Sequence, residues 1–115
     1  MEKLFHEKLK DQMDRFAHLV YSFTKSFPKE ELYGLTSQLR RSALSVVLNY
    51  VEGYARKRDK VHKNFLEISY GSLKEAEYLL HFAFKEEYVL ESDYKKALIL
   101  SDNIGAMLWG ILRKI

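Results

Sequence analysis

From Leu35 to Lys57 apolar side chains recur every three or four residues for roughly six turns with no proline, and Pro28 is the only proline in the 115 residues. Such a run closes its own backbone hydrogen bonds most simply as α-helix. Five isolated glycines and the absence of any Asn-Gly or Asp-Gly pair leave no signal for hairpins.

Four stretches carry helical periodicity. The first spans about Leu4 to Phe27, through Phe5, Leu9, Met13, Phe16, Val20 and Phe23, and Pro28 closes it because the residue before a proline avoids the α region. The second spans about Leu35 to Lys57. The third spans about Lys60 to Glu86, with Val61, Phe65, Ile68, Ser72, Ala76, Leu79 and Ala83 as its stripe. The fourth begins near Tyr94, with Ser92 as the expected N-cap, and runs to the C-terminus through Leu98, Ser101, Ile104, Leu108 and Ile111. Short connections predict an all-α chain: one antiparallel, up-down-up-down four-helix bundle over residues 1–115.

Helix 2 has more apolar surface than a bundle core can use. Leu35, Leu39, Ala43, Val46, Val47, Tyr50 and Tyr54 make one stripe; Leu44, Leu48, Val51 and Ala55 make a second beside it. Helix 3 adds Leu66, Tyr70, Leu73, Leu80 and Phe84 off its stripe, and helix 4 adds Ile99, Leu100, Met107 and Trp109. Large open apolar patches are rare on monomers, so a homo-oligomer is expected, with Arg40, Leu44, Leu48, Val51 and Ala55 at the contact between copies. The remaining arc of helix 2, Gln38, Ser42, Ser45, Asn49, Glu52 and Arg56, is mostly small or uncharged and suits close helix approach with side-chain hydrogen bonds across an interface. Gly53 and Gly71 sit inside helices, for which close backbone packing is the expected reason.

Several function classes are excluded. Without cysteine there is no disulfide framework, thiolate nucleophile or Cys-based zinc site. No apolar stretch approaches the roughly 20 residues that span a bilayer, and MEKLFHEKLK, with charges scattered through it, does not read as a secretory leader. A reducing cytoplasm is the expected location. A di-iron bundle would need Glu-x-x-His pairs, and none occurs. The acid–His spacings present, Glu2/His6, Asp14/His18, Glu77/His81 and Asp59/His62, read as ordinary surface pairs. No phosphate loop or nucleophile–base constellation is recognisable, so neither cofactor nor catalysis is expected.

The stretch FPKEELYGLTSQLRRSALSVVLNYVEGYAR and the later EISYGSLKEAE resemble the bacterial four-helix-bundle family named for proteins encoded in 23S rRNA intervening sequences. The likeness rests on Phe27, Pro28, Glu31, Tyr33, Gly34, Leu35, Gln38, Arg40, Arg41, Ala43, Ser45, Asn49, Glu52, Gly53 and Tyr54, then on Gly71, Ser72, Leu73 and Glu75. It implies a bundle assembled into a ring, typically a homopentamer, without enzymatic activity. Distant relatives are accessory proteins of diversity-generating retroelements, which associate with a reverse transcriptase and nucleic acid. Val46-Val47-Leu48 replaces the family's usual Ile-Pro-Ser, so helix 2 is expected to run straighter here.

The basic run Arg56, Lys57, Arg58, Lys60 and Lys63 follows helix 2 directly. Cations suit a helix C-terminus by about 0.3–1 kcal/mol, yet the dipole does not call for five. Repeated once per subunit around a ring, they would form a polyvalent surface for RNA or DNA. The other reading is a scaffold that binds only protein.

Overall fold

The computed structural model describes residues 2–115. Four helices, α1 (Glu2–Thr24), α2 (Leu35–Ala55), α3 (His62–Lys85) and α4 (Glu91–Leu112), are joined by short connections, the first holding a 3-10 turn at Lys29–Glu31. Each helix packs on two neighbours, α1 on α2 and α4, α3 on α2 and α4. The start of α1 meets the end of α2 through Lys57 and Glu2, and Arg40 near the start of α2 meets Thr24 at the end of α1. Neighbours therefore run antiparallel in a body of 43 × 24 × 19 Å, two helices by two in section. Among the described residues, no helix is long and apolar enough to cross a membrane.

The helix ends differ from the sequence expectation in instructive ways. α1 stops at Thr24 because tight turns take over, with Ser26 N–H bonding to Phe23 O and Phe27 N–H to Thr24 O. Arg40 locks this end: its Nε donates to Thr24 Oγ1 at 2.8 Å, and its guanidinium lies 4.7 Å from the centre of the Tyr21 ring. Arg40, expected at a contact between copies, is thus engaged inside its own chain. α3 ends where Glu87 takes a left-handed conformation, φ 63°, and Tyr88 N–H reaches back to Ala83 O at 2.9 Å. α4 starts at Glu91 with Leu90 as N-cap, so Ser92 lies in the first turn and caps nothing.

Phe16, Leu9, Met13, Leu39, Val46, Leu73, Leu80, Ile104 and Leu108 are fully enclosed in one core drawn from all four helices. The core stripe of α2 matches its expected positions except at Tyr54, which is half-buried. That of α3 does not. It is shifted by one residue at four places: Leu66, Ser69, Leu73 and Leu80 are buried in place of Phe65, Ile68, Ser72 and Leu79, and Ile68 is 43% exposed.

The small polar arc of α2 explains the shift. Ser69 Oγ donates to Val46 O at 2.6 Å, Ser45 and Ser72 share a hydroxyl bond of 2.7 Å, and a methyl at Gly53 would come within 3.1 Å of Leu66. The arc is a seam onto α3 within the chain, and α3 turns to meet it. Gly71 makes no such approach, since an added methyl there would meet nothing within 4 Å. α2 continues as helix through Val46-Val47-Leu48.

Candidate functional site

One end of the bundle gathers a cluster of positive charge: Arg56, Lys57, Arg58, Lys60 and Lys63 from the α2–α3 connection and the start of α3, with Arg113 and Lys114 after α4. The connection is held by backbone bonds, Asp59 N–H to Arg56 O at 2.8 Å and His62 N–H to Asp59 O at 3.2 Å. α3 therefore begins at His62, and Lys60 stands in the connection rather than on a helix.

The five predicted cations are not equivalent. Arg56 pairs with Glu52 at 3.0 Å and with Asp59 at 3.7 Å, and lies 5.8 Å from the Phe65 ring centre. Lys57 contacts Glu2 at 2.6 Å. This hydrogen bond holds the Glu2 carboxyl below its ordinary range and raises the Lys57 ammonium above its own. Both groups are solvent-exposed, so their pairing positions the start of α1 more than it stabilises the fold. Among the described residues Arg58, Lys60 and Lys63 have no acidic partner. The sequence marked five equal charges; the structure leaves three uncommitted.

Of the four acid–His spacings, none forms an ion pair among the described residues. His62 Nδ1 instead donates to Gly53 O at 2.7 Å, tying α3 to the end of α2. His6 Nδ1 bonds to the Tyr50 hydroxyl at 2.8 Å, and its ring stacks on Tyr54 with centroids 3.5 Å apart. Tyr54 is thus packed rather than free to stack on a base. Burial pushes the Tyr50 hydroxyl up to about 12 and the His6 imidazole below its ordinary 6.5. These rings line an open apolar cavity of about 700 Å³, to which α4 contributes Met107 and Ile111. The cavity was not foreseen; the one local hint is the small pair Ala106 and Gly110 on α4.

A pH dependence follows. Neutral His6 is favoured in the fold, so the unfolded chain takes up the proton first as pH falls. The associated stability is present above pH 6.5 and is lost as pH drops through the lower folded value. As pH falls below 6.5, the denaturation midpoint of wild type should therefore drop relative to that of His6→Phe, which keeps the stack. A gap independent of pH rules the effect out.

No group of three His, Asp or Glu side chains among the described residues is arranged to hold a metal ion. The site offers exposed cations beside a packed aromatic layer, which suits binding of anions at a surface.

A crystal structure from Bacteroides thetaiotaomicron, a protein of unknown function from the S23 ribosomal protein family, superposes with a TM-score of 0.83 at 23% identity, over 95% of this chain and 98% of that one. At that identity the likeness shows the fold. No curated protein matches the sequence. The model of the 23S rRNA-intervening sequence protein family matches residues 7–110, nearly the whole bundle including the α2–α3 seam, and the chain belongs to that family.

Proposed function

We propose that this protein is a non-enzymatic, self-associating helical module whose basic end binds the phosphate backbone of RNA or DNA, alone or beside a nucleic-acid enzyme such as a reverse transcriptase. The observation that carries the reading is the apolar stripe on α2, Leu44, Leu48, Val51 and Ala55, which lies open to solvent and runs directly into the basic connection. Covered by another copy, that stripe brings Arg58, Lys60 and Lys63 of several subunits onto one rim. The family resemblance makes a pentamer the favoured assembly. A cluster weak in one copy then gains affinity from repetition.

Titrating labelled RNA and duplex DNA at several salt concentrations tests it. Affinity should fall steeply with salt, and Arg58→Ala/Lys60→Ala/Lys63→Ala should flatten the slope by two to three units per subunit engaged, at roughly 0.7–0.9 per phosphate contact. Arg56→Ala should change the slope less, because Glu52 and Asp59 already neutralise it. Absence of binding at low salt favours the second reading, a protein-only scaffold. The internal pairing of Arg56 and Lys57, which leaves three of the five cations of the run free, supports that alternative.

A further inference from the structure

On the outer side of the α3–α4 pair, next to the basic connection, lies a groove of about 390 Å³. Tyr70 of α3 and Trp109 of α4 form its walls, with ring centroids 6.3 Å apart and planes inclined by 40°. Trp109 is the only tryptophan of the chain and is 55% exposed, an unusual position for so large an apolar ring. Lys63 and Arg113 flank the rings, together with Glu67. Neither cation has an acidic partner among the described residues.

Gly71 belongs to the same groove. A glycine inside a helix is destabilising relative to alanine, and the usual compensation is close packing, which Gly53 shows. Gly71 has no neighbour within 4 Å of an added methyl. A side chain at this position would stand in the open space beside Tyr70, so the glycine keeps the groove clear.

An exposed π face, a second aromatic ring and two free cations together match a nucleotide: a planar base to stack and a phosphate to neutralise. We propose that the Tyr70–Trp109 groove binds a base of single-stranded nucleic acid on the face of Trp109, with Lys63 and Arg113 holding the adjoining phosphates. Single strands are favoured because in a duplex both faces of each base are already stacked. This rests on the reading of the basic end as a nucleic-acid surface and adds to it the strand type and a second element of recognition.

The single tryptophan supplies its own readout. A ten-nucleotide oligo-dT or oligo-U strand, titrated at about 50 mM salt, should quench Trp109 emission saturably, and the matching duplex should bind more weakly. Trp109→Ala should weaken binding of a labelled strand about tenfold without changing the salt slope, as loss of one stacked base predicts, whereas Lys63→Ala should lower the slope. Gly71→Leu, which fits the open space and favours helix, should weaken binding as Trp109→Ala does. If the labelled strand binds while Trp109 emission stays constant and Trp109→Ala keeps wild-type affinity, the stacking site is refuted and the charge reading survives. If neither probe detects binding, both fall. If Trp109→Ala instead changes the mass measured by light scattering, the groove is a contact between copies and the proposal is overturned.

Discussion

Gly53→Leu lowers the unfolding free energy by about 3 kcal/mol, the upper end of what overpacking a well-filled contact commonly does. The cause is the seam between α2 and α3. A β-carbon at position 53 would already stand 3.1 Å from Leu66 Cδ2 and 3.2 Å from Phe65 Cβ. The Phe65 Cβ is fixed to the α3 backbone and cannot swing aside, so a leucine forces the helices apart. Separation strains the Ser69–Val46 and Ser45–Ser72 bonds as well. Removing the glycine gains up to about 1 kcal/mol of helix propensity, which offsets only part of the loss. The measurement is a urea midpoint, expected to drop with little change in slope. Gly71→Leu is the control, and with open space around it should be neutral or stabilising. Equal stability of Gly53→Leu and wild type would show that the seam is loose.

Leu48→Lys/Val51→Lys should convert the proposed assembly to single chains of 13.6 kDa without loss of helix content. In one copy Leu44, Leu48 and Val51 are 37%, 63% and 40% exposed, so charge placed there meets water and leaves the fold within roughly 0.5 kcal/mol of wild type. At a contact between copies the same change removes apolar burial worth about 1.5–3 kcal/mol for each fully covered side chain and adds unpaired charges to be desolvated. Association should weaken by more than a hundredfold, since each 1.4 kcal/mol is tenfold. Light scattering and circular dichroism together report mass and helicity. A wild-type mass of 13.6 kDa at micromolar concentration would sink the oligomer reading, and the shared rim with it.

The loss of the rim need not take the Trp109 groove with it. The groove lies within one chain, between α3 and α4, whereas the rim requires several copies. A monomer that still quenches with a single strand would keep the stacking site and discard the ring. The two salt experiments therefore address different layers of the same basic end.

The number of helices, their antiparallel order and the burial of α1 and α2, apart from Phe5, which is exposed, and Tyr54, were legible because the signals are local: one proline, short connections, and apolar residues at fixed spacing along each helix. The basic run was legible for the same reason. α3 was not, because it is apolar on two adjoining arcs. Phe65, Ile68 and Leu79 compete with Leu66, Leu73 and Leu80, and periodicity alone does not choose between them. Ser45, Ser69, Ser72 and Gly53 made the choice, by bonds and close contacts that join residues a dozen or more apart.

The same distance dependence governs the candidate site. Residue identity placed five cations in a row, but Glu2 reaches Lys57 across 55 positions and Thr24 reaches Arg40 across 16. Which charges stay free, which histidine meets a tyrosine, and where two aromatic rings open a groove depend on partners that neighbour one another only after folding. Local spacing encodes helices; the pairing of their side chains exists only once the chain has brought distant segments together.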